Sequence, residues 1–427
     1  MIIYINKNSK TYKVFAILSI FVIFFCVHFP ADKIKLIFIS VINNFSPSLV
    51  DYISSNYIKI LALIIGPFKA FLFFVSLFIL FVPLLKEFLI DLKNYEKGLL
   101  TFLKRASLIL IAVSLLVLPL FLKSMGRSYG NISADAFLID SSVYSKRILM
   151  PVIAYFLQLK GPILYFLFTI ILIFLFTFLL IYWLDKNKIN LNTISIISIL
   201  SSSFYIFQFQ YPGYPDILLF IFFILIMLIK QNFLKLILFA LSLATHEASL
   251  FVLIPYFFFF EDKKIFKKIS IISLLYVVLW LISFRFNLSK GLSSQNLGDG
   301  WVYEYIVKNS IPYLKGLFFS YKLLWLLILV YPILFIKNRI KELLGVGLIF
   351  LGAIIITLLA VDTSRLMGFS FMGFLIILKS LNNKNLFISH YLQYLLIFNL
   401  LIPSFYYGVN TGLVSFSGLY EWIYRLF

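Results

Sequence analysis

Apolar stretches recur every 20–30 positions along this chain, with short turns between them, and within each stretch the apolar residues run on without alternation. A run such as 163–184 is long enough to cross a hydrocarbon core of about 30 Å as a helix. In lipid every backbone N–H and C=O needs a partner inside the protein, and a helix supplies those partners within the segment. A membrane barrel would instead alternate apolar and polar residues in segments of about ten. With 62% hydrophobic and 13% charged residues and a mean hydropathy of +1.03, the chain has little else to fold with. Its longest polar intervals, near 124–147 and 287–308, are too short to bury cores of their own. The expectation is an all-α fold, one integral-membrane domain over 1–427, with about thirteen spans (11 to 14) and short extracytoplasmic interfacial helices.

The charges orient the bundle. Lys7, Lys10 and Lys13 precede the first apolar run, and lysine-rich turns follow near 86–105, 185–188, 230–235, 261–268, 337–341 and 379–384. Basic residues collect on the cytoplasmic side, so the N-terminus and these turns are predicted to be cytoplasmic, in a bacterial inner membrane. The formal net charge of +20 is thereby explained by topology. It forms no contiguous basic face, so no nucleic-acid partner is expected. The first apolar run lacks a convincing small-residue cleavage site and reads as a retained helix. Cys26 is the sole cysteine, which excludes an intrachain disulfide framework and a cysteine metal site.

Expected spans run 14–30, 62–85, 106–123, 162–184, 192–209, 217–229, 234–245, 248–260, 270–285, 313–336, 343–361, 366–379 and 387–403, with 404–427 outside or on the outer interface. The interval 148–159, between Arg147 and the turn Lys160-Gly161-Pro162, reads as an amphipathic helix lying on the outer surface. The loops 124–161 and 286–312 are extracytoplasmic. Several spans are short: from Asp216 to Lys230 there is roughly 21 Å of helix at 1.5 Å per residue. Their outer ends must sink below the surface, and a polar recess is expected there.

Four acid-bearing turns fall on that outer side. The first holds Asp135, Asp140, Tyr144, Arg147 and Pro151. If helical, Asp140, Tyr144 and Arg147 share a face, an arrangement in which a carboxylate can take a hydroxyl proton while a guanidinium grips a phosphate. The second, Gln210 to Asp216, is a rigid Tyr-Pro-Gly-Tyr-Pro turn in which Tyr214 and Asp216 suit a sugar ring, although Asp216 as a helix N-cap explains the acid equally well. The third is Thr245-His246-Glu247, where adjacent ionisable groups at a buried turn are costly unless used. In the fourth, Asp362 and Arg365 either pair with each other or present the arginine fork to a phosphate. His28, His390 and Trp301 stand apart from these turns. The sequence has no HExxH pattern, no phosphate-binding loop and no GxGxxG. No cofactor is required, although a divalent cation, Mg or Mn, at Asp140 and Asp216 is compatible with them.

This pattern resembles the GT-C class of integral-membrane glycosyltransferases and the related O-antigen and capsule polymerases, most closely through Asp140, Tyr144, Arg147 and Pro151. His246-Glu247 is similar to His/Glu pairs at lumenal turns of some mannosyltransferases of that class. The chain departs from many members in lacking early paired acids, having only Asp32 and Asp51 there, and it lacks the long outer loop of many polymerases. The resemblance implies a GT-C-like bundle that moves a sugar from a polyprenyl-phosphate-linked donor in the membrane lipid to a glycan or lipid acceptor on the extracytoplasmic face. In that reading Asp140 is the base with Glu247 as second choice beside His246, and Arg147 and Arg365, with Tyr144, Tyr214, Asp135, Asp216 and Asp362, hold the donor. Repeat-unit polymerisation and lipid-linked sugar flipping are the alternatives.

Overall fold

The computed structural model describes residues 10–28, 75–76, 79, 99–117, 125–136, 147–283, 310–335, 339–360, 362–383, 390–408 and 412–415. Within these the fold is helical apart from one antiparallel two-stranded hairpin. The helices are α1 (Lys10–His28), α2 (Leu99–Leu116), α3 (Met125–Ala134), α4 (Leu149–Phe156), α5 (Pro162–Lys186), α6 (Thr193–Leu200), α7 (Ser203–Gln210), α8 (Asp216–Leu228), α9 (Asn232–Thr245), α10 (Ser249–Phe260) and α11 (Lys263–Ser283). They continue with α12 (Ser310–Tyr321), α13 (Leu324–Phe335), α14 (Ile340–Ala360), α15 (Thr363–Leu366), a 3-10 turn (Met367–Ser370), α16 (Phe371–Asn382) and α17 (His390–Leu401), followed by β1 (Phe405–Gly408) and β2 (Gly412–Ser415).

Among the described residues four helical stretches are long and apolar enough to cross a membrane: Pro162–Lys186, Lys263–Ile282, Ile340–Leu358 and Thr363–Asn382. Two bent pairs raise the number to six if each is one span. This supports a multi-pass membrane protein; the expected span 62–85 and the end of 106–123 lie largely outside the described residues, and several of the other expected spans are short or bent. α8, α9 and α10 have 13, 14 and 12 residues, hence roughly 18–21 Å each at 1.5 Å per residue, and none is long enough to cross alone. The expected spans 192–209 and 313–336 are both broken, α6 to α7 by 78° and α12 to α13 by 79°. The lysine-rich stretch from 263 is the first turn of α11 rather than a loop.

Each break has a chemical cause. Ser201-Ser202-Ser203 interrupts the apolar run, and the Ser201 hydroxyl bonds back to the Ser198 carbonyl at 2.7 Å, a local alternative to the helical ladder. Lys322 ends α12 in the left-handed region at φ 51°. Its buried ammonium reaches Ser201 Oγ at 3.2 Å and the carbonyls of Asn399 at 3.4 Å and Ile402 at 2.8 Å. One side chain thus ties both breaks and the end of α17 together, which supplies the partners that irregular backbone needs at membrane depth.

The helix ends sort by charge. At one end Lys235 pairs with Glu261, which also accepts from Tyr256 at 3.0 Å. At that same end Glu342 accepts from Tyr331 at 2.8 Å and from Ser380. The other end carries the start of α8, the end of α9, the start of α10 and the turn after α14. The interval expected as a surface helix forms α4, but Leu149, Met150, Pro151, Val152 and Ala154 are buried, so it packs into the bundle rather than resting on it. Of the segment expected outside or on the outer interface from residue 404, the strand β1 packs on the turn after α14: Tyr407 is 1% exposed, and its backbone N–H donates to Ser364 Oγ at 3.1 Å.

The close packing of α10 on α14 depends on Gly352. A Cβ there would collide with the Phe251 backbone carbonyl, whereas one at Gly347 would meet nothing within 4 Å. Gly352→Ala is expected to destabilise the protein by about 1–3 kcal/mol, and Gly347→Ala to be neutral or slightly stabilising, since alanine is the better helix former. Thermal unfolding of the two variants in detergent measures the difference.

Candidate functional site

The second, third and fourth acid-bearing turns and the arginine of the first come together at the end of the bundle away from Lys235 and Glu342. Asp216 opens α8 directly after the Pro-Gly-Tyr-Pro turn, whose Gly213 sits at φ 112°, a conformation suited to glycine. It lies inside the helix, with Pro215 at the cap position, so it is not the N-cap that the sequence allowed. Its carboxylate is fully buried: Oδ2 accepts from Gln208 Nε2 at 3.3 Å and lies 3.4 Å from Arg365 Nε. Arg365, carried on the single turn of α15, also lies 2.9 Å from Asp362 Oδ2. Both readings of that turn therefore hold together, since the arginine pairs with its neighbour and also reaches into the cluster. The Arg365 guanidinium further faces the Tyr214 ring at 4.8 Å and the Phe207 ring at 5.8 Å.

His246 caps α9 and links the two halves. Its Nδ1 accepts from the Ala248 backbone N–H at 3.1 Å, which assigns the ring proton to Nε2 in the neutral form. Nε2 looks at Asp216 Oδ1 across 3.9 Å, and neither atom makes a hydrogen bond among the described residues. Glu247, the next residue, receives a two-pronged grip from Arg147, with Nη2 to Oε1 at 2.5 Å and Nε to Oε2 at 3.2 Å. A continuous chain of charge runs from Arg147 through Glu247, His246, Asp216 and Arg365 to Asp362. Three carboxylates in it face two guanidinium groups.

The chain is graded from buried to accessible. Asp216 and Arg365 are 0% and 4% exposed, Asp362 13%, Arg147 14% and Glu247 32%. The Asp216–Arg365 contact is thus the closed end, and the Arg147–Glu247 pair is the accessible end.

Environment sets the protonation states at the turns. Burial, helped by the Arg147 charge, lowers His246 from 6.5 to about 3. Burial alone would raise the Glu247 carboxyl, but the charge and hydrogen bonds of Arg147 outweigh it and hold the group well below the usual carboxylate range. Burial raises Asp362 against the opposing charge of Arg365.

Comparison of the chain with protein-family models, with curated proteins and with solved structures finds no match. The site is accordingly described by its chemistry alone.

Of the residues expected here, Arg147, Tyr214, Asp216, His246, Glu247, Asp362 and Arg365 are brought together. Asp140 and Tyr144 lie outside the described residues. Asp135 is described and does not join them; it stands exposed just past α3. Among the described residues no three His, Cys, Asp or Glu side chains converge as a metal site. Asp216 turns one oxygen to Arg365 and Gln208 and the other to His246, and Asp140, expected to share a divalent cation with it, lies outside the described residues. Three contributors were missed. Tyr129, 1% exposed on α3, lies within electrostatic range of Arg147. Gln208 was taken for a membrane-span residue, and Tyr406 hydrogen-bonds Asp362 while its ring lies 4.7 Å from Phe207. Polar residues inside otherwise apolar runs were the signal for the first two. Tyr406 follows a proline past the last span, and nothing local marks it.

The lowered His246 value makes a pH prediction. Between pH 6.5 and about 3 the unfolded chain binds a proton at this side chain that the folded protein does not, so stability falls as pH falls. From pH 6.5 to 5 the loss from this one group is roughly 1.5 kcal/mol. His246→Asn keeps an acceptor for the Ala248 N–H without a titrating ring, and its melting temperature is expected to fall less than the wild type's over that interval.

Proposed function

We propose that this chain is a membrane glycosyltransferase of the bacterial inner membrane, acting on the extracytoplasmic face and using a polyprenyl-phosphate-linked sugar as donor. The observation that carries this reading is the graded ion cluster. Two arginines and three carboxylates gather at the bundle end opposite the lysine-rich turns, with an accessible edge at Arg147 and Glu247 and the tyrosines 214 and 406 beside them. Ionisable groups at membrane depth are costly and mark working sites. Guanidinium groups match phosphate oxygens two at a time, and aromatic rings beside carboxylates suit a sugar. The short α8, α9 and α10 leave the site beneath the surface, within reach of a lipid-borne phosphate.

In this reading the acceptor hydroxyl loses its proton to a carboxylate as its oxygen attacks the anomeric carbon. The bond from that carbon to the phosphate oxygen breaks, and the departing polyprenyl phosphate keeps the electron pair, its charge stabilised by Arg147 with Arg365 behind it. The donor bond is already activated, so no nucleotide is consumed. Asp140, seven positions before Arg147, is the base of first choice. Glu247, tied to Arg147, is second. The glycan or lipid acceptor enters from the exposed edge.

A second reading, flipping of the lipid-linked sugar, draws support from the two broken helix pairs meeting at Lys322, because interrupted helices line binding sites in transporters. The location of the accumulated intermediate separates the two. In cells making an inactive variant, lipid-linked sugar held on the outer leaflet supports the transferase, and retention on the inner leaflet supports the flippase. In membrane extracts, Asp140→Asn is expected to reduce sugar transfer by about 100-fold or more, the lower range for removing a general base. Near-normal transfer by that variant removes Asp140 from the role.

A further inference from the structure

Resting on the phosphate-donor reading above, the geometry points to the Arg147–Glu247 pair as an exchangeable clamp: Glu247 is the placeholder that a lipid phosphate displaces from the arginine fork. Three observations lead there. The bond is two-pronged, with Arg147 Nη2 and Nε each on one Glu247 oxygen at 2.5 and 3.2 Å, the same fork that a phosphate occupies with two of its oxygens. A carboxylate and a phosphate therefore compete for one site and cannot share it. The pair is also the accessible member of the cluster, at 14% and 32% exposure, whereas Arg365 is 4% exposed between Asp216 at 0% and Asp362 at 13%. Arg365 is already held by two acids at depth and forms the fixed wall.

Charge supplies the third observation. Among the described residues three carboxylates face two guanidinium groups, so an anion at the fork is best accommodated by replacing one of the carboxylates. Glu247 is the one with solvent beside it to move into. Once released it stands next to the bound phosphate without its counter-ion, a stronger proton acceptor than it is in the clamp. The exchange thus couples donor binding to the appearance of a free carboxylate at the reacting centre.

Binding of farnesyl phosphate to the full chain in lipid nanodiscs tests this. If Glu247 competes for the fork, removing its charge strengthens binding: Glu247→Gln is expected to bind the probe about tenfold tighter than the wild type, the scale set by loss of a charge-assisted pair. Glu247→Asp, with a shorter arm and a weaker clamp, should fall between them and guards against a misfolded glutamine variant. Arg147→Gln should lose most binding, with or without the Glu247 change. Equal or weaker binding by both folded Glu247 variants overturns the exchange while leaving the phosphate reading intact. A folded wild type and folded variants that all fail to bind the probe overturn the phosphate reading itself. Inorganic phosphate competing as well as the lipid would keep the exchange and assign the fork to a free anion instead of a lipid headgroup.

Discussion

An unpaired charge in a hydrocarbon environment costs several kcal/mol, and that single constraint orders most of what is seen here. Asp216 has no exposure at all, yet it stands at the first turn of α8, where the positive end of the helix dipole favours an anion. Arg365 lies beside it, and Gln208 donates to it. Arg365 in turn must satisfy its own charge, and Asp362 and the Tyr214 ring complete its surroundings. Loss of one partner leaves the other buried without compensation, so the turns after α9 and α14 and the start of α8 are held together by mutual need. The packing of those helix ends follows from the pairing as much as from their apolar faces.

A second consequence concerns the backbone. Helices too short to cross and helices broken in mid-run leave N–H and C=O groups without ladder partners, and lipid offers none. The protein answers with the polar run at Ser198, Ser201, Asn399 and Ser404 and with the Lys322 ammonium, which gathers two carbonyls and a hydroxyl from separate elements. The price of shortening is met by side chains. What is gained is a polar surface at the ends of the shortened helices.

Much of this was legible in the sequence, and the parts that were not share a cause. The period of the apolar runs pointed to a helical membrane protein, and the distance from Asp216 to Lys230 gave the short α8 that the structure has. The tight turn between α8 and α9 then brought Asp216 and His246 together, because antiparallel neighbours of matched length end at the same level. Hydropathy, however, measures composition and not direction. It read straight through the serine triplet at 201–203 and through Lys322, where the chain bends by nearly a right angle, and so it drew two straight spans where the helices are broken. It left the stretch after residue 404 outside or on the outer interface and gave no sign that Tyr406 and Tyr407 pack against the turn that carries Arg365. The pairing of Arg147 with Glu247, 100 positions apart, has no local signature, since either residue taken alone reads as a solvated loop charge.

The central claim is that these distant turns form one buried, mutually dependent charge cluster, and a double-mutant cycle across Asp216 and Arg365 tests it most directly. Thermal stability in detergent would be measured for the wild type, Asp216→Asn, Arg365→Met and the double variant. Each single change should cost about 3–5 kcal/mol by stranding the other charge. The double change should cost far less than their sum, with a coupling of about 1–3 kcal/mol or more. Additive effects of the two substitutions would mean that the side chains do not meet, and would contradict the cluster and the functional reading built on it.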